Sequence, residues 1–190
     1  PDKPVTMGAF AQPNIFTETK KAQYENFKAS KKVILECWDE FGKRFGRQYH
    51  PVEGYRNEDA NILLLTMGSY SETAMSAVDE LRTAGKKVGL IRLRLWRPFP
   101  FEEVRQAESN ADILIVLDRA ISIGGSGGPV CSLIKLALYH EEKKPRVASI
   151  IGGLGGRDIS VTDFEELINR GIEIAKKGRQ DEIELFGVRE

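Results

Sequence analysis

The side chains able to do chemistry are few and scattered. The two histidines, His50 and His140, stand in predicted surface turns, and neither has HExxH or other metal-ligand spacing. No GxSxG elbow offers a serine nucleophile. The carboxylate pairs Glu102-Glu103 and Glu165-Glu166 fall at predicted helix starts, where capping and solvation account for them without acid–base work. Cys37 and Cys131 lie far apart in separate apolar patterns, so neither a disulfide framework nor a CxxC site is present. A reducing, cytoplasmic setting is the simplest inference.

What remains gathers at two glycine-rich turns. Gly124-Gly125-Ser126-Gly127-Gly128 follows the apolar run Ile113–Leu117 and the pair Asp118-Arg119, while Gly152-Gly153-Leu154-Gly155-Gly156 precedes Arg157-Asp158. A turn between the carboxyl end of a strand and the amino end of a helix leaves backbone N–H groups free to hold an anion. It equally permits a close chain crossing that admits no side chain. The first turn lacks the Lys-Ser/Thr pair of a P-loop, and its glycines do not fall in GxGxxG order. Arg119 and Asp118 are expected to converge on the same edge as Arg157 and Asp158, either pairing with one another or meeting a ligand directly.

The elements that must position these residues follow from periodicity. The unbroken apolar run Ile113–Leu117 reads as a strand buried on both faces, Ile62–Met67 as a second strand of that type, and Val147–Ile151 as another strand. Val88–Trp96 is a further strand, with Arg92 and Arg94 alternating onto one face and needing carboxylate partners or a partner surface there. Tyr49–Arg56, interrupted by Pro51, suits an edge strand. Helices are expected after each buried strand, with Ser69 or Ser71 capping the first and Thr162 the last. A leading amphipathic helix over Glu18–Phe45 carries Tyr24, Phe27, Ile34, Trp38, Phe41 and Phe45 in one stripe, which either covers the following domain or docks on a neighbour. Residues 1–13, with three prolines, read as linker. The division is therefore 1–48, linker arm and docking helix, and 49–190, the α/β domain. In the charged tail, Leu185-Phe186 forms a small apolar knot that either tucks back or stays mobile.

This alternation predicts a three-layer α/β/α domain with a largely parallel sheet. With 28 basic and 28 acidic residues the chain has no net charge drawing it to nucleic acid or to an anionic membrane. No apolar run approaches the roughly 20 residues that cross a bilayer. A first residue of Pro1 suggests a piece of a longer or processed polypeptide.

Several stretches taken in order carry a resemblance: Pro4–Gly8 (PVTMG), Leu93–Pro100 (LRLWRPFP), Leu117-Asp118-Arg119 with Gly124–Gly128, and Gly153–Asp158 (GLGGRD). Together they resemble the alpha subunit of pyruvate:ferredoxin oxidoreductase, from Pro4 to about Arg170. The resemblance implies a transketolase carboxyl-terminal-like domain with a five-stranded sheet, Val52–Tyr55 being an antiparallel edge strand. It implies a complex with beta, gamma and delta type partners that oxidatively decarboxylates a 2-oxoacid to acyl-CoA and reduces ferredoxin. Thiamine diphosphate, Mg, iron–sulfur clusters and CoA would serve that complex from other domains or subunits. No catalytic residue, metal ligand or bound cofactor is expected in this chain. A different expectation, an independent binding module for a phosphate-bearing ligand, would use turns 124–128 and 152–156 with Arg119 and Arg157.

Overall fold

The computed structural model describes residues 2, 3, 8, 10–108, 111–178 and 183–189. Six of the thirteen residues of the expected linker, among them Pro4–Met7 of the PVTMG stretch, lie outside them. Two compact units divide the chain, Pro1–Tyr49 and His50–Glu190.

In the first unit, α1 (Pro13–Phe45) begins five residues before the expected Glu18. Pro13 occupies the first helical turn, where its missing N–H is no loss and its fixed φ suits a helix. Gly46 ends the helix at φ 69°, its N–H bonded to the Gly42 carbonyl at 2.8 Å. Phe41 packs on Phe45 and Tyr49, with ring centroids 4.7 and 5.7 Å apart. No residue of α1 is buried, and Tyr24, Phe27 and Phe45 are exposed.

The second unit is built on β1 (Val52–Tyr55), β2 (Ile62–Met67), β3 (Val88–Leu93), β4 (Ile113–Asp118), β5 (Arg146–Ile151) and β6 (Ile183–Leu185). They form one sheet in the order β1-β3-β2-β4-β5-β6. Only the β1–β3 pair is antiparallel. Four helices follow the parallel strands: α2 (Tyr70–Thr83), α3 (Phe101–Glu108), α4 (Pro129–Leu138) and α5 (Val161–Lys177). The runs Leu63–Leu65 and Leu114–Val116 are apolar throughout because both faces are covered. On one face Leu64, Leu90, Ile115 and Ile150 meet α2 and α5; on the other Leu65, Ile91, Leu114 and Val116 meet α4 and Val104 of α3.

The sheet has six strands where five were expected, because the tail knot adds a strand: Ile183–Leu185 pairs with Ser149–Ile151 of β5. Its connection is unusual. The β4–α4–β5 and β5–α5–β6 units advance across the sheet in the same direction, yet α4 and α5 lie on opposite faces. With the first of right hand, as nearly all such units are, the second is left-handed.

Capping differs from expectation at two helices. Ser160, not Thr162, caps α5, in a reciprocal box with Asp163 (Ser160 N to Asp163 Oδ2, 2.8 Å; Asp163 N to Ser160 Oγ, 3.2 Å). Ser69 stands at the start of α2 without capping through its side chain, and the Ser71 hydroxyl is bonded to Thr66 Oγ1 at 2.8 Å within the core. Gly171 of α5 permits close packing on β4, since a Cβ there would lie 2.7 Å from three Ile115 carbons.

Where α2 packs against α5, Glu80 faces Glu165, and sharing a hydrogen bond with that second carboxyl, then desolvation and charge repulsion, raise the Glu80 pKa. For an acid shifted upward the associated stability is present below the ordinary carboxylate range and is lost as pH rises through the folded-state value. Glu80→Gln is therefore expected to raise Tm at pH 7, with the gain shrinking toward pH 4, as thermal melts at the two pH values would show.

Candidate functional site

The carboxyl edge of the parallel strands is where both glycine turns and both expected arginines fall. At the end of β4 the chain turns the Asp118 side chain inward, where it is 1 % exposed. Its two oxygens accept the N–H groups of Val130 (2.9 Å) and Cys131 (3.0 Å) in the first turn of α4. Pro129 has no N–H to offer, so the helix start that an anionic ligand would have used is filled by the protein's own carboxylate. Burial pushes the Asp118 carboxyl up, opposed by the same two N–H donors. Gly128 must lack a side chain because a Cβ there would collide with the Asp118 carboxylate. Gly127, at φ 98°, would direct one into Ile183 of β6. The turn closes on itself through Ser122 N to Gly127 O (2.9 Å), and the Ser126 hydroxyl lies 2.8 Å from that of Ser132. Turn 124–128 is thus a close crossing, and the expected pairing of Asp118 with an arginine does not occur.

The second turn is also tightly packed. Gly153 takes φ 69° directly against the Tyr70 ring, and Gly152 lies against Leu117 and Ile159. The Tyr70 hydroxyl donates to the Arg157 carbonyl at 2.8 Å, and the Arg119 guanidinium stacks 4.5 Å above the same ring. The structure therefore brings Arg119 and Arg157 to one neighbourhood, as expected, but through Tyr70. The sequence reading did not single out Tyr70; the signal was its place just after Gly68-Ser69 at the end of a buried strand. Phe164 of α5 supports the ring edge-on, 6.0 Å away. Arg157 also donates through Nη1 to the Gly187 carbonyl, tying the tail down. A cleft of about 390 Å³ beside it is lined by Ile151, Leu154, Arg157, Phe186, Val188 and Arg189.

Arg92 and Arg94 have the carboxylate partners their strand demanded, Glu72 and, at 2.6 Å, Glu53. His50 and His140 are exposed. Cys37 is exposed and Cys131 buried. Among the described residues no three His, Cys, Asp or Glu side chains converge as a metal site would require, and no helix is long and apolar enough to cross a membrane.

A mixed α/β sheet with closed glycine turns defines a class before it defines a protein. The same fold occurs in a solved split-gene transketolase, the inactive β4 tetramer, with a TM-score of 0.51 over 68 % of this chain and 45 % of that one, at 15 % identity. Residues 60–164 match the pyruvate:ferredoxin oxidoreductase core domain II family, and the chain belongs to it. It is 37 % identical over all 190 residues to the pyruvate synthase subunit PorA of Pyrococcus furiosus, and 36 % identical over 187 residues to the ketoisovalerate oxidoreductase subunit VorA of Pyrococcus horikoshii. It spans about half of each, 48 % and 47 %.

Proposed function

We propose that this chain is the assembly domain of the alpha subunit of a 2-oxoacid:ferredoxin oxidoreductase, with pyruvate the preferred substrate class. The observation that carries this is the similarity to PorA over all 190 residues of this chain, joined to a strand edge where Asp118 fills the start of α4. In such a complex the 2-oxoacid is decarboxylated and oxidised, its acyl group passes to CoA, and the electrons reach ferredoxin. Thiamine diphosphate supplies the carbanion chemistry and iron–sulfur clusters the electron path, and the residues described here fit neither group. The Mg that accompanies the diphosphate would need converging carboxylates, which the described residues do not supply, and a cluster would need four thiolates where this sequence has two cysteines. These groups, and the beta, gamma and delta type subunits, we assign to the rest of the complex, in the cytoplasm. The part played by this chain is mechanical: a rigid sheet core holds Arg119, Tyr70 and Arg157 in a fixed array at one edge.

The test is to tag the natural polypeptide that contains this sequence, purify it from its source and assay reduction of ferredoxin dependent on 2-oxoacid and CoA. Activity that copurifies with further subunits, greater with pyruvate than with 2-oxoisovalerate, is the expected result. A single inactive polypeptide would overturn the reading.

A further inference from the structure

Each parallel strand hands the chain to the next element at the carboxyl edge. Arg97 after β3, Arg119 after β4, Arg157 after β5 and Arg189 after β6 accordingly stand along it in strand order. All four are exposed, and none holds a carboxylate among the described residues. Six other arginines of this unit are paired: Arg56 with Asp79, Arg82 with Asp59, Arg92 with Glu72, Arg94 with Glu53, Arg105 with Glu141 and Arg170 with Glu184. Arg146, at the start of β5, lies on the opposite edge.

Several acids at the carboxyl edge are engaged already. Asp118 is spent on α4, Glu72 on Arg92 and Asp163 on the α5 cap; the other acids there are Asp158 and, at the start of α3, Glu102 and Glu103. The positive end of α2, which no side chain caps, lies at the same edge. Between the arginines stand apolar side chains that water does not favour: Ile123 is 87 % exposed and Val188 64 %, with Met67 and Leu154 also exposed. Two of the guanidiniums are already oriented by aromatic rings, Arg97 at 4.0 Å over Trp96 and Arg119 at 4.5 Å over Tyr70.

We propose that this edge is the docking face for a partner subunit whose surface is rich in aspartate and glutamate around an apolar centre. The inference rests on the assembly reading above and names the face and the chemistry of what it meets. Three observations favour a protein surface over a small anion. The row from β3 to β6 crosses four strand spacings, about 19 Å, more than one anion can bridge. Exposed apolar residues lie among the charges, as in interface cores bordered by arginine and aromatic anchors. Ring-stacked guanidiniums surrender little freedom when a carboxylate arrives.

The test uses the natural complex, reconstituted with the full polypeptide carrying Arg97→Glu and Arg119→Glu, or all four arginines changed to Gln. The first pair leaves the Arg157 link to the tail untouched, and unchanged melting and circular dichroism establish that each variant folds. Expected is a fall of about tenfold or more in subunit affinity, read by native mass and sedimentation, with salt weakening the wild type far more than the variants. Arg→Lys at the four positions should keep part of the binding, since the charge remains while the planar stacked guanidinium is lost. Assembly of both variants at wild-type affinity would overturn the proposal while leaving the oxidoreductase reading intact. So would calorimetric binding of pyrophosphate that is lost in variants whose assembly is unchanged. A wild-type chain that forms no complex and shows no 2-oxoacid-dependent activity would instead remove the assembly reading itself.

Discussion

Asp118→Ala is expected to destabilise the domain by about 2–4 kcal/mol, because two N–H groups of the first turn of α4 lose their acceptor in a place water barely reaches. For a domain of this size that amounts to a fall of about 2–4 °C in Tm per kcal/mol. Gly128→Ala should cost about 1–3 kcal/mol for a separate reason. Gly128 has φ −76° and ψ 140°, open to any residue, so its cost is steric: the new methyl meets the Asp118 carboxylate. The two changes are coupled. Removing the carboxylate makes room for the methyl, so the double variant should be less destabilised than the sum by about 1–2 kcal/mol. Denaturant melts of the four proteins measure this; simple additivity would mean that Asp118 does not occupy the helix start. The pH dependence has a definite sign. Burial raises the Asp118 pKa, so its contribution is fullest below the ordinary carboxylate range and diminishes as pH rises through the folded-state value. The deficit of Asp118→Ala should therefore widen on acidification, provided the native fold persists.

Phe164→Ala is expected to cost about 3–5 kcal/mol, the range for deleting a buried aromatic ring and leaving its cavity. Phe164 is fully buried among the large core side chains, beneath the face shared by α2 and α5. The consequence extends to the edge, because Phe164 supports Tyr70, and Tyr70 carries both the Arg119 stack and the bond to Arg157. Phe164→Leu should recover much of the stability but not the ring contact. Comparing the two variants in the assembly assay separates loss of the fold from misplacement of the arginines. If Phe164→Leu assembles as weakly as Phe164→Ala at equal folded fraction, ring support of Tyr70 is what the interface requires. If it assembles as the wild type does, Tyr70 holds its place unaided.

Much of this protein is determined locally and was legible for that reason. Ile62–Leu65 and Ile113–Leu117 are unbroken apolar runs, and such runs survive only between two covering layers, which gives the α/β/α architecture without any knowledge of contacts. Arg92 and Arg94, alternating on one strand, required either carboxylates or a partner surface, and the fold supplies the carboxylates, Glu72 and Glu53. Other features depend on parts of the chain that meet only after folding. Ile183–Leu185 is too short to display a period of two, and it becomes a strand because Ser149–Ile151 offers it a ladder across a left-handed connection. The Gly124–Gly128 turn has the composition of an anion site, and whether it is one depends on the rotamer of Asp118, twelve residues before Val130. Tyr70 acquires its role from Arg119, Arg157 and Phe164, three residues remote in sequence that share only the carboxyl edge. Local patterning thus determined the layers and most of their strands by burial alone, whereas the tertiary structure decided the state of the edge, because pairing of charges and N–H groups depends on distances that no sequence spacing encodes.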